Sequence, residues 1–136
     1  MDKYIFAAFG TGVTFLFGSW HTSLTVLCVF MVLDIITGVT KGAINKNLKS
    51  KIGYMGFLRK ANIMVVIIMA NMLDLITDTG MPVFRTMATF FYVGLEGLSI
   101  VENLEASGVK IPIQIKERLA QVQERKEIPP HKTDMN

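Results

Sequence analysis

The chain has 136 residues, 51% of them apolar and only 18% charged, with a formal net charge of +3. That composition is too apolar for an ordinary water-soluble domain of this length, and a single cysteine with two histidines offers no disulfide framework, no catalytic triad and no His/Cys metal set. The unbalanced positive charge is concentrated between Lys41 and Lys60, beside apolar segments, a position that suits lipid headgroups rather than nucleic acid.

From Tyr4 through Leu33 no Asp, Glu, Lys or Arg occurs. Backbone polar groups in lipid are satisfied only within helices or a closed barrel, and these runs lack the period-two alternation of barrel strands, so an all-α integral membrane protein is predicted. A single helix over those residues would extend about 45 Å at about 1.5 Å per residue, well beyond a bilayer core of about 30 Å. Trp20, His21, Thr22 and Ser23 make a polar break with an interfacial aromatic, which predicts two spans, 4–20 and 22–40. Asp2 and Lys3 form a weak n-region with no small-x-small site after the apolar stretch, so the first segment is read as a spanning helix and not as a cleaved signal. Cys28 reads as a small buried hydrophobe and His21 as a polar residue of the interfacial turn.

The stretch after the second span carries Lys41, Lys46, Lys49, Lys51, Arg59 and Lys60 with no acidic residue, and is predicted to be a cytoplasmic linker. A third span is predicted over 61–77, interrupted only by Asp74. Asp78 to Pro82 is a turn-forming cluster whose proline is placed to open a fourth span, 83–101, containing Arg85 and Glu96. From Glu102 onward basic and acidic residues alternate, which predicts a soluble tail over 102–136. Ile115, Leu119 and Val122 recur at helical spacing, so an amphipathic helix is expected from Ile113 to Lys126, ended by Pro129 and Pro130; His131 to Asn136 are expected to be disordered.

The fold class is thus an integral membrane protein with three to four short transmembrane helices and a charged cytoplasmic C-terminal tail. With four spans the N-terminus lies in the cytoplasm, and with three it lies outside. Asp2 and Lys3 cancel and leave this open.

Four ionisable residues fall within the predicted spans: Asp34, Asp74, Arg85 and Glu96. Each would destabilise insertion by about 2.5 to 3.5 kcal/mol at a helix centre, so they line a pore, pair between helices, or sit near helix ends and snorkel to water. Asp74 and Arg85 lie at nearly equal distance from the centre of the 78–82 turn, which predicts a side-chain pair across an antiparallel hairpin. Small residues at Ala8 and Gly12, Gly38 and Gly42, and Gly94 and Ser99 are candidates for close helix contact. No catalytic, cofactor or metal constellation is visible, and His131 falls in the tail.

Two stretches carry a family resemblance. One is Asp34-Ile-Ile-Thr-Gly38-Val-Thr-Lys41, followed by Lys49-Ser50-Lys51-Ile-Gly53 and Gly56-Phe-Leu-Arg-Lys60; the other is Glu96-Gly97-Leu98-Ser99-Ile100-Val101-Glu102-Asn103, followed by Gly108-Val-Lys-Ile-Pro112. In these the chain resembles the phage lysis holins and toxin-secretion holins of Gram-positive bacteria and their phages, over about Asp34 to Leu119. The resemblance implies a homo-oligomer in the bacterial cytoplasmic membrane that opens lesions for a muralytic enzyme (an endolysin) or a secreted toxin, with no catalytic residues and no cofactor. Lesions wide enough for a folded protein need many copies. A small multi-span transporter is the competing class, although an acidic residue deep in the first span, which proton exchange would need, is absent. A regulator of the antiholin type has the same sequence features.

Overall fold

In a computed structural model, residues 1–124 are described and form five α-helices. The expected disorder of His131 to Asn136, the helix end at Lys126 and the stop at Pro129 and Pro130 lie outside the described residues. The helices are α1 (Asp2–Phe17), α2 (Thr22–Ile44), α3 (Ser50–Thr77), α4 (Val83–Ala106) and α5 (Ile113–Gln123).

The polar break in the long uncharged run ends one helix and begins the next, as its residue types require. α1 stops at Gly18, whose φ of +76° lies in the left-handed region that favours glycine. The His21 carbonyl accepts the first backbone N–H groups of α2, from Leu24 and Thr25, and the Trp20 indole donates to Thr25 Oγ1 at 2.7 Å. At the second turn Asp78 is left-handed, and α4 starts immediately after Pro82. Pro82 brings no side-chain acceptor to the new helix, so the orphan N–H groups of Phe84 and Arg85 are taken by the Asp74 carboxylate at 2.8 and 2.9 Å.

The stretch expected to be a linker from Lys41 to Lys60 is mostly helix. α2 continues to Ile44 and α3 begins at Ser50, so the loop is residues 45–49 and holds only Lys46 and Lys49 of the six cations. Lys, Arg, Met and Leu are good helix formers, and basic side chains at a membrane edge give the backbone no reason to stop. Left-handed Lys46 ends α2 instead. The change of composition at Glu102 likewise falls inside a helix, because α4 runs on to Ala106.

α4 is the central element, packed against α2, α3 and α5, while α1 lies against α3. Leu24, Leu27 and Met31 project from one face of α2 into Ile63 and Ile67 of α3 and Val93 of α4, and Leu27 and Ile67 are wholly enclosed. Outside this seam the helices are apolar and exposed, with Phe6 and Phe9 on α1, Val32 and Ile36 on α2, and Val65 and Met69 on α3. α2 and α3 are the two helices among the described residues that are long and apolar enough to cross a membrane. With 16 residues α1 is about 24 Å long, short of a hydrocarbon core of about 30 Å. α4 is interrupted by Arg85, Glu96, Glu102 and Glu105.

α5 turns back along α4. Lys116 forms an ion pair with Glu105 near the start of α5, and Leu119 reaches Gly97. A Cβ at Gly94 would stand 2.6 Å from the backbone nitrogen of Gln123, so this helix pair closes only because position 94 has no side chain. Gly94→Leu is expected to detach α5. Disulfide formation between cysteines replacing Glu105 and Lys116, in a Cys28→Ser background, should fall severalfold, while helical content by circular dichroism stays within that of the parent.

Candidate functional site

Asp34, Lys60 and Glu96 come from three different helices and meet in one buried cluster. Asp34 lies midway along α2, Lys60 three turns into α3 and Glu96 at the middle of α4. The Lys60 ammonium donates to Asp34 Oδ2 and to Glu96 Oε2, each at 2.7 Å. Asp34 Oδ1 accepts from Ser99 Oγ at 2.7 Å and from Asn103 Nδ2 at 2.9 Å. Asn103 also reaches Thr37 Oγ1 at 3.2 Å. Relative exposure is 9% at Lys60, 4% at Glu96 and 7% at Asn103, so none of the three reaches water by extension along the helix.

Helical spacing explains how one face of α4 supplies half of this site. Glu96, Ser99 and Asn103 stand at i, i+3 and i+7 on one face, from which Ser99 and Asn103 reach Asp34 of α2 and Glu96 reaches Lys60 of α3. Gly38, one turn along α2 from Asp34, lies beside Asn103, where a Cβ would make an ordinary contact with Nδ2 at 3.6 Å. On α3 the buried residues Lys60, Ile63, Ile67 and Ala70 form a continuous stripe at helical spacing. Lys60 is therefore a core position of α3 that happens to be charged.

Two carboxylates share one ammonium, and the remaining negative charge is met by the Ser99 hydroxyl and the Asn103 amide. Isolated charges at such depth are disfavoured by several kcal/mol each, so the groups are held together as strongly by the absence of an alternative as by their attraction.

A second polar site lies toward the other end of α4. Arg85 is buried, and its Nη1 donates to the carbonyls of Phe17 at 2.9 Å and Ser19 at 3.0 Å. Asn71 Nδ2 takes the carbonyls of Phe15 and Leu16 at 3.1 and 2.9 Å. The orphan acceptors at the end of α1 are thus closed by an amide from α3 and a cation from α4, the sign a helix C-terminus prefers. A Cβ on Gly18 would collide with Arg85 Nη1. Arg85 and Glu96 are separated by about 16 Å along α4 at about 1.5 Å per residue, so the two polar sites are distinct.

The expected Asp74–Arg85 side-chain pair is not formed. The hairpin does bring the two residues together, but the Asp74 carboxylate binds the backbone N–H of Arg85 and of Phe84, and the guanidinium turns to α1. Helix-terminal groups compete for both charges, which a pairwise estimate of depth does not include. Of the block 96–103, Glu96, Ser99 and Asn103 line the cluster, Gly97 packs against Leu119 and Phe30, and Glu102 is exposed. Lys41, Lys49, Lys51 and Arg59 line one groove with Asp34 and Lys60 but form no ion pair with the cluster's carboxylates, and Lys46 lies in the 45–49 loop. Ala8 is exposed and a Cβ on Gly12 would meet nothing within 4 Å; Cys28 is free and half-buried. The missed participant is the role of Lys60, whose signal was the 3-4-3 spacing of Lys60 with Ile63, Ile67 and Ala70.

Residues 11–124, the greater part of the chain and all three helices of the cluster, match the family described as "Bacteriophage holin family". The chain belongs to the bacteriophage holin family. A relative from Bacillus phage phi105, named "Probable holin", is 44% identical over 97 residues, covering 71% of this chain and 70% of its own. An uncharacterized 14.9 kDa protein of Clostridium perfringens is 44% identical over 124 residues, 91% of this chain and 94% of that one. No solved structure matches the chain.

Two expectations follow. Lys60→Met should destabilise the protein by about 3 to 5 kcal/mol, the usual effect of removing one partner of a buried ion pair, measured by denaturant unfolding in detergent micelles. Adding Glu96→Gln should restore part of that loss, so that the double variant is milder than the sum of the two singles. For the second site, Asp74→Ala and Arg85→Gln should each lower the thermal midpoint and combine close to additively, because their side chains serve different helix ends; the same unfolding assay checks this.

Proposed function

We propose that this holin inserts into the cytoplasmic membrane of a bacterium, assembles with copies of itself and opens lesions through which a wall-degrading enzyme or a toxin leaves the cell. The observation that carries the reading is the Asp34–Lys60–Glu96 cluster, a set of charges held between helices within the family-matched region. In the closed chain these groups satisfy one another. In an assembly where α2, α3 and α4 repack against neighbouring copies, the same face turns to water and lines the opening, and hydration replaces the lost contacts.

α2, α3 and α4 cross in this reading, and α1 is a short span or lies in one leaflet. The cation-rich end between α2 and α3 faces the cytoplasm by the bias of basic residues, and the α4–α5 turn and the tail share that side. Five helices of one chain cannot enclose a passage for a folded protein, so lesions need many copies. The apolar outer faces of α1 and of Val65 and Met69 are available to lipid or to further copies. The protein supplies no catalysis; the partner enzyme degrades the wall.

Timed induction tests this. Expression alone should stop respiration at a defined time, and turbidity should fall only when a wall-degrading enzyme lacking its own secretion signal is co-expressed. Continued growth with an intact membrane potential, despite verified accumulation in the membrane, would refute the proposal.

A further inference from the structure

Between α2 and α3, at the end that holds the 45–49 loop, lies an open groove of about 460 Å³. Its mouth carries Lys41, Lys49, Lys51 and Arg59, and no ion pair to a carboxylate forms at any of the four among the described residues. Gly38 and Gly42 on α2 and Gly53 and Gly56 on α3 line it, and a Cβ at Gly53 or Gly56 would meet nothing within 4 Å. The walls are apolar, from Ile35, Val39, Leu48, Ile52 and Met55. At the inner end stand Asp34 and Lys60, whose charges are already engaged with one another and with Ser99 and Asn103.

Cations at the mouth over apolar walls, between two helices able to cross a membrane, match one kind of molecule. We propose that this groove binds an anionic phospholipid, its phosphate among Lys41, Lys49, Lys51 and Arg59 and an acyl chain along Ile52 and Met55. The inference rests on the reading of α2 and α3 as spans. A free phosphate or nucleotide would use the cations but leave the apolar walls wet. A zwitterionic lipid would use the walls but leave the positive charge of the mouth uncompensated. The anionic lipid uses both, because basic residues at the membrane surface draw anionic headgroups and their long apolar stems cover the acyl region below. Bound there, the lipid fills the space that Gly53 and Gly56 leave beside α3 and braces the helix that carries Lys60 against the helix that carries Asp34.

A tryptophan in the groove reports occupancy. The full chain with Trp20→Phe and Ile52→Trp is reconstituted in vesicles of equal parts phosphatidylglycerol and phosphatidylcholine, with bromine on the acyl chains of one lipid or of the other. Surface charge is then the same in both samples. Quenching should be greater when phosphatidylglycerol carries the bromine, by an enrichment of about fivefold, the factor one basic side chain confers beside an anionic headgroup. Replacing Lys49, Lys51 and Arg59 together by Gln should bring the two samples level while total quenching persists. Equal quenching in the parent overturns the groove and leaves the spans standing. Loss of the preference on adding millimolar glycerol phosphate also overturns it, in favour of a soluble anion. A preference that vanishes as the protein is diluted in lipid does so too, in favour of an acidic segment of a second copy. No quenching by either lipid overturns both the spans and the groove.

Discussion

The Lys60 ammonium is the point on which the helix arrangement depends. It is the single cation shared by the buried Glu96 and the part-buried Asp34, and each of the three groups comes from a different helix. Apolar side chains alone would leave α2, α3 and α4 free to slide or rotate, since in lipid the hydrophobic effect does not drive helices together and packing gains are small for any one register. A salt-bridged triad is different. A shift of one residue along a helix moves a group by about 1.5 Å and rotates it by about 100°, which would separate the charges. Register and rotation of three helices are set at once by atoms within 2.7 Å of Lys60 Nζ.

The other polar site does for the ends of helices what Lys60 does for their middles. Arg85 and Asn71 close the carbonyls of α1, and Asp74 closes the N–H groups of α4, so two helix termini have their unsatisfied groups met by side chains of α3 and α4. Between the two sites lies the apolar seam of Leu24, Leu27, Ile63, Ile67 and Val93. Asp34 and Glu96 are thus gathered at one level of the bundle and Asp74 and Arg85 at another, each with a partner inside the chain. α1, fastened mainly at its C-terminal end, is the least constrained helix of the set.

Much of this was legible in the residues. The absence of charge from Tyr4 to Leu33 announces apolar helices, Trp20 to Ser23 marks the break, and Pro82 marks the start of α4, because each signal is local and chemical. The start of α3 was not legible in the same way. A run of cations without an acid is read as linker since solvent is the usual place for it, yet helix propensity has no quarrel with lysine, and the buried stripe through Lys60, Ile63 and Ile67 overrides the charge count. The fate of Asp74 and Arg85 was hidden for another reason. Sequence shows which side chains can reach one another, but the helix ends that compete for them exist only once α1 and α4 are placed. The cluster itself was half visible: Asp34 and Glu96 stood out as expensive, Ser99 and Asn103 as part of a block, and only the fold shows that they address the same atoms.

The cluster also explains why a charged face and a glycine-lined face coexist on α4. Ser99 and Asn103 bond to Asp34 of α2 and Glu96 to Lys60 of α3, whereas Gly94 and Gly97 lie beneath α5. Between those two faces α4 leaves Phe84, Met87, Phe91 and Leu95 exposed. Self-association through either covered face would require that α5 leave or that the cluster open, and the two are mechanically separate because they use different groups of residues. Lifting α5 exposes small residues that permit close backbone contact with another helix, a surface suited to lipid and to packing. Opening the cluster exposes one ammonium and two carboxylates, a surface suited only to water. In the proposed assembly these chemistries imply an order: contact between copies forms first while the membrane is still sealed, and the charged face turns outward only where enough copies have gathered to enclose water for it.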